Sequence, residues 1–202
     1  MTTRLRLGAI AWILTLQFFL IETYAGLGWP GYSFFTDRIS DLGAANSPMH
    51  GLVNASLIVQ GVLIGGGALL LREAFAPGRL RDLGIALIAM NGAGVILVGF
   101  VPEDSSRILH DIGATALFLS GNVGMLALGT ALLHDASRMR ALGTAAVVFG
   151  SIGVIAAIFF TLRSISAHAM GAFEHLAVDP LPLWLLMAAL VVLYPGRRTL
   201  RD

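Results

Sequence analysis

HGLVNASLIVQGVLIGGGALLL, residues 50–71, carries no arginine and no carboxylate, and Arg72 follows it at once. A helix needs about 20 apolar residues to cross the roughly 30 Å hydrocarbon layer, so this stretch reads as one membrane crossing. Working outward, apolar runs of similar length predict spans at about 7–29, 50–71, 83–101, 111–133, 141–162 and 173–194. The last run contains Pro180 and Pro182, which predict a kink or a re-entrant segment there. With 56% hydrophobic and 12% charged residues, the 202-residue chain cannot make an ordinary solvated surface. The expected fold class is all-α, a polytopic membrane bundle of six transmembrane helices in a single domain over residues 1–202.

Charge gives that bundle a direction. All 13 cationic residues are arginine. Arg4, Arg6, Arg72, Arg79, Arg81, Arg138, Arg140, Arg197, Arg198 and Arg201 fall on one side of the six-span arrangement, and Arg38, Arg107 and Arg163 on the other. Positive charge is retained in the cytoplasm during insertion, so both termini are expected to be cytoplasmic in a multi-pass protein of the cell membrane. Arg4 and Arg6 ahead of an apolar run resemble the start of a signal peptide. That run is too long for one and no small-x-small cleavage pattern follows, so it predicts a helix that stays.

The net charge of +1 argues against nucleic acid as a partner, and the absence of cysteine removes disulfides, thiolate nucleophiles and iron–sulfur ligands. Glycines recur within the spans, at Gly61, Gly65, Gly92, Gly94, Gly121, Gly124, Gly150 and Gly153. Small residues let helix backbones approach closely in lipid, and no strand precedes them as a phosphate loop would require.

The side opposite the arginine-rich one gathers His50, His110, His168 and His175 with Asp37, Asp41, Glu103, Asp104, Asp111, Glu174 and Asp179. Three histidines from helix tops plus a water form the ligand set of a catalytic zinc site. The expected metal ligands are His50, His110 and His175, with His168 as a substitute. Asp41, Asp104 and Asp111 are candidate bases or ring-orienting groups. Glu22 lies on the order of 10 Å below the interface, where an unpaired carboxylate is costly, so it joins them. Arg38, Arg107 and Arg163, with Ser40 and Asn54, form a candidate headgroup pocket at helix N-termini that favour anions.

From Ile39-Ser40-Asp41-Leu42-Gly43 through His50 and Asn54 to Pro102, Asp104 and His110, the chain resembles the six-helix membrane proteins grouped as domain-of-unknown-function family 998. Gly171-Ala172-Phe173-Glu174-His175 looks like that family's glycine-x-x-glutamate-arginine stretch, with histidine in place of arginine. The resemblance implies the six-helix fold and no particular activity. The departure at position 175 shifts weight from a shared three-histidine centre to Asp41, His50, Asp104 and His110.

The reading these observations favour is a metal-assisted hydrolase or transferase, with zinc as the cofactor, acting on a lipid headgroup or another amphiphile. Membrane lipids are its expected partners. A non-catalytic membrane subunit or scaffold, and a small-molecule or proton-coupled transporter, are the alternatives.

Overall fold

A computed structural model describes residues 1–135, 137–162 and 168–194, so Arg163 and the C-terminal arginines Arg197, Arg198 and Arg201 lie outside the described residues. The described chain is all helical, with six helices long and apolar enough to cross a membrane. Helices α1 (Thr3–Leu14) and α2 (Gln17–Leu27) form the first span, α3 (His50–Leu71) the second, α4 (Arg79–Phe100) the third and α5 (Arg107–Leu132) the fourth. Helix α6 (Ser137–Thr161) is the fifth, and α7 (Met170–Val178) with α8 (Pro180–Leu193) makes the sixth.

Several spans begin earlier than the apolar runs do. Arg79, Arg81 and Asp82 sit within the first turn of α4, and Arg107 opens α5. Long polar side chains at a helix end can reach past the apolar layer, so helix and hydrophobic run need not share a boundary. At the N-terminus, Thr2 caps α1 by accepting a hydrogen bond from the Leu5 amide. The first span is interrupted near Thr15, whose hydroxyl donates to the Trp12 carbonyl at 2.6 Å. That back-bonding competes with the helix ladder. The sequence reading did not include this break.

The proline pair behaves differently from a re-entrant turn. Pro180 takes the first position of α8, where its missing N–H is one the helix leaves unpaired anyway. The Leu183 amide still reaches the Asp179 carbonyl at 3.3 Å, so the span continues through the junction. At its far end, Arg138 donates to the Tyr194 carbonyl.

Successive spans are packing neighbours, and the last closes the ring against α1. Trp12 of α1 and Trp184 of α8 meet there, fully buried, with ring centroids 6.0 Å apart. Each indole N–H donates to a backbone carbonyl, Trp12 to Ile64 and Trp184 to Leu142. Elsewhere glycines bring the backbones together: a Cβ on Gly61 would fall on the Gly92 carbonyl, and one on Gly84 would fall on the Leu128 backbone. In lipid no water-driven force pulls helices together, so such close van der Waals contact is what joins α3 to α4 and α4 to α5.

One end of the bundle carries a lid. Residues 28–49 fold across the ends of the spans, with a short 3-10 turn at Ile39–Gly43 at their centre. Most of the acids and four of the five histidines belong to this end; Arg4, Arg72, Arg81 and Arg138, with Glu73 and Asp82, lie at the other.

Replacing Gly61 with valine is expected to lower stability by about 1–3 kcal/mol or prevent assembly through overpacking. Gly66, with open space at its Cβ position, should tolerate alanine and gain up to about 1 kcal/mol. Thermal unfolding of the two detergent-purified variants checks the contrast; equal behaviour would refute the close-packing account.

Candidate functional site

Carboxylates tie the lid down by accepting from its backbone. Glu174 of α7 takes the Ile39 amide at 2.6 Å, Asp104 takes the Ala45 amide at 2.8 Å, and Asp41 takes the Arg38 amide at 2.7 Å. The Arg38 guanidinium bridges Asp41 at 2.6 Å and Glu103 at 2.5 Å, and the Ser40 hydroxyl donates to the second oxygen of Glu103. Burial alone would lower the Arg38 pKa, but the hydrogen bonds and negative charges of Asp41 and Glu103 outweigh it and raise the value. The Tyr32 hydroxyl donates to the Arg38 carbonyl. Burial pushes its pKa well up, reinforced by the surrounding charges of Glu22, Glu174, Asp41 and Asp37.

Beneath the lid lies a second cluster. Glu22 of α2, His175 of α7 and Asp179 at the α7–α8 junction place ligating atoms within 4.8 Å of one another. His175 Nδ1 stands 3.0 Å from Asp179 Oδ2, and His175 Nε2 stands 3.3 Å from Glu22 Oε1. The first pair is a hydrogen bond, with the ring N–H donating to the carboxylate. The second pair is not aligned as one. Glu22 Oε1, His175 Nε2 and Asp179 Oδ1 are all buried without a hydrogen-bond partner. Glu22 is 2% exposed, and the Phe34 ring of the lid lies 6.1 Å from the His175 ring. With Nδ1 carrying the proton, Nε2 presents a lone pair toward a carboxylate oxygen. Two acceptors held this close require a proton or another cation between them.

The expected three-histidine centre is not assembled. His50 is exposed and its Nδ1 bonds the Ser47 carbonyl, while buried His110 donates through Nδ1 to the Val101 carbonyl. Each ring turns back onto its own connector, whereas His175 lies more than a helical turn into its span and faces α2. His168 is exposed. Among the described residues, the one group with metal-ligating geometry contains His175 and neither His50 nor His110.

The other expected residues separate in the same way. Asp41, Ser40 and Arg38 meet in the clamp with Glu103. Asn54 donates to the Gly43 carbonyl and so holds the lid turn. Arg107 and Asp111 form an exposed pair at 3.5 Å on the outside of α5, away from the clamp. Sequence reasoning assigned no site role to Asp179, Glu103 or Glu174. A signal for Asp179 was present: it lies four residues after His175, on the same helix face within an apolar span.

Residues 12–191 match the family described as a protein of unknown function, DUF998. The chain belongs to that family. No curated protein and no solved structure matches it. In this DUF998 protein the Ile39–Gly43 and Gly171–His175 segments are physical partners. Glu174 receives the Ile39 amide, and a Cβ on Gly171 would collide with the Asp37 and Phe34 carbonyls, so glycine is what lets α7 seat against the lid. The chain is thus a multi-pass integral membrane protein of this family.

Removing the Arg38 side chain leaves two half-buried carboxylates uncompensated. Arg38→Ala is expected to cost about 1–3 kcal/mol, against about 0.5 kcal/mol or less for Arg107→Ala. Thermal unfolding measures the difference, and equal losses would show that the clamp does not hold the lid.

Proposed function

We propose that this protein is a metal-assisted hydrolase or transferase of the outer membrane leaflet, whose centre is Glu22, His175 and Asp179. The observation that carries this is the coincidence of three unpartnered buried atoms on those same three residues. Two carboxylates beside a neutral imidazole leave negative charge in an apolar bundle, where each uncompensated charge costs several kcal/mol. A divalent cation compensates that charge and satisfies the lone pairs together.

Carboxylate and imidazole donors suit zinc, and three protein ligands leave a fourth position of the kind used to activate water. Asp179 would bind through Oδ1 while its Oδ2 stays on the His175 Nδ1–H and orients the ring. Lid closure by Phe34 would keep bulk water from the centre. An amphiphile suits the site because the cluster lies in the membrane-spanning part of the chain, close beneath a polar lid. The arginine distribution supports placing the lid outside and both termini in the cytoplasm.

A second reading, a non-catalytic membrane subunit, is favoured by one observation: Arg38, Ser40 and Asp41 are spent holding the lid.

Element analysis of detergent-purified protein should find about one zinc per chain, lost in Glu22→Gln and His175→Ala and kept in His50→Ala and His110→Ala. No stoichiometric metal, or metal retained in the Glu22→Gln/His175→Ala double variant, would overturn the centre and leave the subunit reading. Because the chain contains no cysteine, single cysteines introduced at Asn46 and at Arg79 test orientation with an impermeant maleimide on intact cells. Only the Asn46 variant should label; the reverse pattern would invert the topology.

A further inference from the structure

Next to the metal-ligating group, on the other side of α7, a partly open cavity of about 60 Å3 lies in the bundle core, with Ile39 and Ser40 of the lid among its lining residues. Holding one water takes roughly 10–15 Å3 on this measure, so the space suits about four non-hydrogen atoms. Its walls are mainly aliphatic, with the rings of Phe18 and Phe118 among them.

Two of the polar groups along it present acceptors to the space. Glu174 lines it at 6% exposure; its Oε2 is held by the Ile39 amide, and no partner is found for Oε1 among the described residues. His110 also lines it, and because its Nδ1 donates to the Val101 carbonyl, the neutral ring offers only an acceptor at Nε2. Gln60 lines it too; its Oε1 accepts from Gln17, so its amide N–H groups are the donors on the wall, while the amide oxygens of Asn91 and Asn122 are buried out of reach of the space. No arginine lines the cavity. Arg38, beside Ile39 in sequence, is already engaged by Asp41 and Glu103.

We propose that this cavity is a binding site for a small primary ammonium ion, with its N–H donors on Glu174 and His110 and its short alkyl part against the apolar wall. Such an ion supplies donors to both acceptors and the positive charge that no arginine on the wall provides. Aromatic faces add cation–π attraction in a desolvated site. A bare sodium ion fits less well, since it would need more oxygen ligands than two polar groups at one end of an apolar space provide. Water alone would fill the volume without supplying the charge. The site stands apart from the metal proposal, and metal content reports on that one separately.

The test is thermal unfolding of the full chain in detergent, titrated with ethylammonium chloride against sodium chloride and ethanol at matched concentration. A saturable rise in unfolding temperature with ethylammonium alone is expected. Glu174→Gln, which keeps an oxygen for the Ile39 amide, should weaken binding at least tenfold. Ala114→Leu, which fills the cavity without touching its charge, should abolish binding. If Glu174→Gln fails to fold, the Ala114→Leu result decides. Equal shifts with sodium chloride or ethanol, no saturable shift at all, or binding that persists in Ala114→Leu would overturn the proposal.

Discussion

Hydrocarbon offers no hydrogen bonds, so every polar group carried into the bundle must find its partner within the protein. Most of this chain obeys that constraint in visible ways. Trp12 and Trp184 donate to backbone carbonyls, and Gln17, Ser56 and Gln60 bond one another between α2 and α3. Asn122 ties α5 to α7 through the Ala177 carbonyl. Against that background the exceptions carry information. Glu22, His175 and Asp179 leave three unpartnered atoms close together in one small volume.

The lid is the second consequence of polar groups near an apolar layer. A 28–49 segment laid across helix ends has backbone amides to satisfy, and the carboxylates of Asp41, Asp104 and Glu174 satisfy three of them. Charge-assisted bonds of this kind are stronger than neutral ones. They also couple parts of the chain distant in sequence, since Glu174 belongs to the last span and Ile39 to the first connector. Lid, metal-ligating group and cavity therefore share α7: Gly171 seats it, Glu174 faces the cavity side, and His175 faces α2.

Much of the architecture was legible from hydrophobic run length alone. Six crossings follow from apolar stretches near 20 residues because the layer thickness is nearly constant, whatever the side chains do. Boundaries were less legible, as at Arg79 and Arg107, because helices continue past the layer while the side chains reach out of it. The Thr15 break was missed because it rests on one hydroxyl choosing a carbonyl over solvent. Among candidate site residues, Glu22 was found from the cost of burying it and His175 as one of the helix-top histidines, whereas Asp41, read as a base, and Ser40 and Arg38, read as a headgroup pocket, serve the lid.

The sequence by itself determined that this is a helical membrane protein with most of its acids and histidines sorted to one end, since burial cost and insertion rules act on residue type and order. Only the tertiary structure decided which of those groups meet. A histidine's partners depend on the rotation of its helix and the reach of its ring: His50 and His110 fold back onto neighbouring carbonyls, while His175 points across to a carboxylate 153 residues earlier. Rotation about a helix axis costs nothing that composition records, and it is set by packing details such as glycine contacts along the whole bundle.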